Sequence, residues 1–157
     1  MISRPESRRA IVGAVVGFVY GSILACLSFL ALGAGHGSSF PFFLSSAPLG
    51  VLGFFGESGF YAAVVGGAPV VWATFGALVA PAGRAKWFRL TQVLALLHYA
   101  SGLALIAATT GLDELAYLKR LLRTTPEFIV LWAAVYVVGQ VALWWRVSRW
   151  GERRPTV

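Results

Sequence analysis

Four apolar stretches without Asp, Glu, Lys or Arg divide the chain: Ile11–Gly33, Tyr61–Val79, Val93–Thr110 and Phe128–Trp145. A bilayer's hydrocarbon core is about 30 Å thick, and a helix needs roughly 20 apolar residues to cross it. The pattern therefore predicts an all-α bundle of four transmembrane helices, with spans near 11–33, 59–80, 89–110 and 126–146. The chain reads as a single integral membrane domain over 1–157, with no internal repeat and no linker.

The connections differ in character. Pro81–Lys86 is short, so spans two and three are antiparallel neighbours. The connection from His36 to Phe60 is long and apolar, carrying Phe40, Phe42, Phe43, Leu44, Leu49 and Phe54, and is broken by Pro41, Pro48, Gly50, Gly53 and Gly56. Irregular backbone at membrane depth is tolerated only where protein or water covers it. This segment is expected to be a re-entrant or interfacial cap on the outer side, or an extension of span two. Gly111–Thr125 predicts a short outer amphipathic helix, with Leu112, Leu115, Leu118 and Leu122 at helical spacing. Its acids, Asp113 and Glu114, come first and its bases, Lys119, Arg120 and Arg123, come last, which matches the helix dipole. Thr124 to Glu127 fits a capping box, with Pro126 in the first turn of the last span.

Charge orients the spans. Arg4, Arg8, Arg9, Arg84, Lys86, Arg89, Arg146, Arg149, Arg153 and Arg154 flank one side, and only Lys119, Arg120 and Arg123 the other. Basic residues in short loops stay cytoplasmic, so both termini are predicted inside. Trp87, Trp144, Trp145 and Trp150 gather at the same boundary as an aromatic belt. The net charge of +7 is then a topology signal rather than a nucleic-acid surface. Hydrophobic content of 58% and charged content of 12% agree with a membrane protein, as does a mean hydropathy of +0.76. The first apolar run is about twice the 7–15 residues of a signal-peptide core and reads as a retained span. Cys26, the one cysteine, lies inside that span, so no disulfide within the chain and no cysteine metal cluster is expected. The balance of Arg over Lys, with abundant Ala and Gly, fits a GC-rich bacterial source.

Two patterns bear on packing and chemistry. Gly13, Gly17, Gly21 and Ala25 recur every four residues and form a smooth stripe for a helix–helix contact, either internal or a homodimer seam. Gly66, Gly67 and Pro69 predict a kink within span two. Counting ten residues inward from the cytoplasmic edge, about 15 Å at the helical rise, reaches Tyr20 or Gly21, Trp72, His98 and Tyr136. They fall in one midplane layer, beside a face of span three formed by Thr91, Ala95, His98, Gly102 and Thr109. An intramembrane ionisable residue is by default a functional-site hypothesis. His98, Tyr136, Tyr20 and Trp72 are thus candidates for holding a ligand or proton, and the plain alternative is a neutral imidazole bonded to Tyr20 or Tyr136 for packing. His36, the other histidine, lies beyond the hydrocarbon core on the outer side, roughly 20 Å from His98 in depth, so the pair is not expected to flank one haem iron within a chain, while a redox cofactor with one His ligand or a haem between copies stays open. Glu57 is the other outer-face candidate, either a surface acid or a partner of His36. No catalytic motif, phosphate loop or metal-ligand spacing occurs, and no cofactor is implied.

The run Gly35-His36-Gly37-Ser38-Ser39-Phe40-Pro41, followed by Ser46-Ala47-Pro48-Leu49, resembles a pattern in small multi-span bacterial inner-membrane proteins of uncharacterised function. There a Gly-His-Gly-Thr/Ser element ends the first span; here Ser38 stands where threonine is common. The resemblance implies an inner-membrane location and carries no activity. Three functions remain open: a non-enzymatic accessory or structural protein, an oligomeric transport or permeation protein, and a haem- or quinone-binding redox subunit using His98. The scarcity of intramembrane charge favours the first. The expected partners are the lipid bilayer and a homodimer or larger membrane complex.

Overall fold

A computed structural model describes residues 4–33, 40–82, 84–110, 119, 123 and 126–152. Six helices account for most of them: α1 Arg4–Gly33, α2 Phe40–Ser46, α3 Gly56–Ala62, α4 Ala68–Val79, α5 Arg84–Thr110 and α6 Pro126–Glu152. A 3-10 helix, Leu49–Phe54, leads into α3, and a π-helical turn, Ala63–Gly67, joins α3 to α4. Three helical runs are long and apolar enough to cross a membrane: Glu6–Leu30, Gly56–Val79 and Lys86–Ala108. Among the described residues α6 adds the shorter apolar stretch Val130–Ala142. Helices α1, α5 and α6 run past the apolar cores into their basic flanks, as they do where a helix continues into the headgroup region.

The small-residue stripe of α1 sits against α4, the pairing with the most extensive contact in the molecule. A Cβ on Gly13 would overlap the Gly76 carbonyl, one on Gly17 the Trp72 carbonyl, and one on Gly21 the Ala68 carbonyl. Gly76 returns the fit, because a Cβ there would overlap the Gly13 carbonyl. Lipid offers no hydrophobic incentive for helices to associate, so backbones held this close supply the packing energy. The stripe is therefore an internal seam, and its glycines are not available to a second copy.

The expected kink at Pro69 takes a different form. Pro69 falls in the first turn of α4, directly after the π turn. One extra residue is absorbed before the proline, so the run from Gly56 to Val79 continues without a break.

The connection around residues 36–60 divides in two. Its first described half, α2, is packed inward: Pro41, Phe42, Ser45, Ser46 and Ala47 are all buried. It lies against α1 and α5 and touches the π turn. Gly67 makes room for Ser46, and Gly102 on α5 makes room for Leu44 and Ala47. Its second half, from Gly56, is the continuous extension of α4. The expected extension of span two thus holds for the half from Gly56, and the half before it is packed among the helices. The amphipathic helix over Gly111–Thr125 lies outside the described residues apart from Lys119 and Arg123, which are helical and exposed. Of the capping box, Thr124 lies outside them too; Pro126 begins α6 and Glu127 falls in its first turn.

Candidate functional site

The core is a cluster of Tyr20 and Leu24 from α1, Trp72, Phe75 and Val79 from α4, Leu94 from α5, and Trp132 and Tyr136 from α6. His98 lies within it, 1% exposed. Its ring meets the Trp72 edge at 5.1 Å between centroids and that of Phe75 at 5.8 Å. The structure thus brings together four residues singled out by depth: Tyr20, Trp72, His98 and Tyr136.

The hydrogen bonds define the chemistry. His98 Nδ1 lies 2.9 Å from the Ala47 carbonyl oxygen. A carbonyl only accepts, so Nδ1 carries the hydrogen. His98 Nε2 lies 2.5 Å from the Tyr136 hydroxyl. In the neutral ring Nε2 is then the acceptor, and the tyrosine donates. Tyr20 donates to the Tyr136 backbone carbonyl at 2.7 Å. Gly139 leaves the space for the Tyr20 ring, because a Cβ there would overlap it. Trp72 Nε1 donates to the Ser45 carbonyl at 3.2 Å.

Two of these bonds end on backbone carbonyls of the α2 segment. A short helix has terminal carbonyls without intrahelical partners. Here the carbonyls of Ser45 and Ala47 are met by the indole of Trp72 and the imidazole of His98. The serines of α2 are also satisfied: Ser45 Oγ donates to Pro41 at 2.6 Å and lies 3.0 Å from Ser28 Oγ of α1, and Ser46 Oγ donates to Phe42 at 2.7 Å. The arrangement fastens the C-terminal end of α2 to α4, α5 and, through Tyr136, α6. Both ring nitrogens of His98 are committed in doing so, and neither is directed at open space.

A second polar pair adjoins this layer. Tyr99 donates to Gln140 Oε1 at 2.8 Å. Gln140 is buried, and its Nε2 has no partner among the described residues. Trp132 stacks on Tyr136 with centroids 4.9 Å apart. Sequence reading passed over Tyr99, Gln140, Gly139 and Trp132. A signal existed for two of them: Gly139 and Gln140 interrupt an otherwise apolar span one turn after Tyr136. No signal marked the Ser45 and Ala47 carbonyls, because backbone atoms carry no residue type.

The remaining candidates separate from this centre. Glu57 is exposed in the first turn of α3. His36 lies outside the described residues, as do Gly35 to Ser39 of the resembling element. On the polar face of α5, Thr91 turns its hydroxyl to its own helix, the Trp87 and Phe88 carbonyls. Ala25, next in the stripe, is half-buried against the core cluster and borders an open groove. No family model, no curated protein and no solved structure matches this chain.

Proposed function

We propose that this chain is a four-span bundle of a bacterial inner membrane, with both termini in the cytoplasm, that works as a non-enzymatic accessory or structural protein. In this reading α2 is a re-entrant helix entering from the outer side, and the His98 cluster fastens its inner end near the bilayer midplane. Three apolar runs of spanning length, α6 with its shorter apolar stretch as the fourth crossing, and the basic flanks at one side support this topology. The burial of α2 supports the re-entrant assignment, since irregular backbone at membrane depth must be covered by protein.

One observation carries the structural role: His98 donates to Ala47 and accepts from Tyr136, so neither ring nitrogen is free. A haem or metal ligand needs one ring nitrogen as an unshared donor of electrons. Nδ1 holds a hydrogen, and Nε2 is taken by the Tyr136 hydroxyl. A proton carrier needs a path onward, and Nδ1 ends on a carbonyl.

The test is the optical spectrum of the full chain purified in lipid nanodiscs, read beside thermal unfolding. The proposal expects no Soret band, and a lower midpoint for His98→Phe. A Soret band near one haem per chain that disappears in His98→Phe, with the helical signal retained, would overturn it in favour of the redox reading.

A further inference from the structure

The geometry points to a binding site for an anionic phospholipid headgroup at the corner where α4 turns into α5, formed by Arg8 and Arg9 of α1 with Lys86 and Arg89 of α5. Gly13 lies against Gly76 and Ala80, the last turn of α4. Arg9 stands one turn before Gly13 and is half-buried, so it lies level with the end of α4. The chain turns there, with the Ala82 N–H bonded to the Val79 carbonyl, and α5 begins at Arg84. Trp87 and Leu90 pack against the core cluster, while Lys86 and Arg89 are exposed beside them. The end of α4 thus has Arg9 next to it and two further bases in the turns of α5 that follow.

Charge, depth and the neighbouring surface together identify the occupant. Among the described residues none of these four bases is in an ion pair. The flanks at this end carry Glu6 and Glu152 as their acids against ten bases, so the excess positive charge is not met within the chain. Measured along α1 from Tyr20 and along α5 from His98, the four lie about 14–18 Å from that core layer at the helical rise. With the layer at the midplane of the bundle proposed above, the hydrocarbon ends at about 15 Å and the headgroups at about 20–22 Å. The bases therefore stand at the depth of lipid phosphates, where a soluble macromolecule does not reach. Exposed aliphatic side chains follow them at helical spacing: Val12, Val15 and Val19 below Arg8, and Val93 and Leu96 below Arg89. A base at the head of an apolar strip matches a phospholipid, with the phosphate on the base and the acyl chain along the helix. A zwitterionic headgroup brings its own cation, so a headgroup of net negative charge is the better fit. The depth rests on the proposed bundle, and reporter fusions test its orientation independently of lipid binding.

The experiment is native mass spectrometry of the full chain from neutral detergent, with phosphatidylglycerol and phosphatidylcholine of identical acyl chains at equal concentration. Phosphatidylglycerol adducts are expected in excess. Lys86→Gln and Arg89→Gln are each expected to cut that excess about five-fold, the contribution of one base near an anionic surface. Both side chains are exposed, so the unfolding midpoint in neutral detergent should hold. Lys86→Arg should keep the excess, and so should Lys119→Gln/Arg123→Gln, whose bases lie at the other end of the bundle. Equal adducts of the two lipids, or an undiminished excess in Lys86→Gln/Arg89→Gln, would overturn the assignment. So would an equal loss in Lys119→Gln/Arg123→Gln, which would make net charge and not this corner the cause. Loss of the adducts to millimolar glycerol phosphate would make a soluble phosphate the occupant and overturn the lipid.

Discussion

His98 is held by two bonds of opposite sense, and each partner depends on it. The Ala47 carbonyl is buried and takes its bond from Nδ1; the Tyr136 hydroxyl gives its hydrogen to Nε2. Replacing His98 by Phe keeps the aromatic contacts with Trp72 and Phe75 but leaves both polar groups unpaired. Each orphaned buried group costs about 1–3 kcal/mol. His98→Phe is therefore expected to lower stability by the sum of two such losses, read in thermal or SDS unfolding. Tyr136→Phe removes one partner only and should cost about 1–3 kcal/mol. Residues sharing one bond couple, so the double variant should cost less than the two single ones together, by about 0.5–3 kcal/mol. Additivity would place the imidazole and the phenol apart. Tyr20 does not enter this coupling directly, since it bonds the Tyr136 carbonyl and not the hydroxyl.

At the scale of elements, glycines decide where helices touch and where they part. Gly17→Leu drives a side chain into the Trp72 backbone, so α1 and α4 must separate. Overpacking costs about 1–3 kcal/mol where side chains can yield, and here the obstacle is backbone. A large drop in unfolding midpoint, or failure to accumulate in the membrane, is the expected outcome for Gly17→Leu. Gly66→Leu serves as the control, since its Cβ meets nothing and the midpoint should hold. Equal midpoints for Gly17→Leu and the unaltered chain would mean the stripe faces lipid. The glycine stripe was legible in the sequence because the spacing alone sets one face. The π turn was not: Gly66, Gly67 and Pro69 signal a perturbed helix, yet a kink and an absorbed extra residue satisfy the same missing N–H. The fold of residues 40–62 was also illegible in detail. Phe42 and Phe43 are apolar enough for lipid or core alike, and only tertiary contacts with α1 and α5 decide.

For the whole molecule, the proposed topology rests on the basic flanks. Reporter fusions at Val157 and within Pro81–Lys86 should behave as cytoplasmic, and one at Tyr117 as external. An external C-terminus would refute the arrangement and with it the outer entry of α2. Depth along the spans was legible, because a constant helical rise puts Tyr20, Trp72, His98 and Tyr136 at one level. What joins that level to the rest of the fold was not, because the link is the Ala47 carbonyl.

The imidazole of His98 is the point where α2, α5 and α6 meet, and its tautomer records that meeting. Nitrogen-15 solid-state NMR of histidine-labelled protein in lipid bilayers reads the tautomer directly, and His36→Gln removes the second histidine's signal. The expected result is a neutral ring with the hydrogen on Nδ1 and a hydrogen-bonded, unprotonated Nε2. A ring protonated at Nε2 instead would contradict it, since Nδ1 then has no hydrogen to give the Ala47 carbonyl and Nε2 has no lone pair to accept from Tyr136.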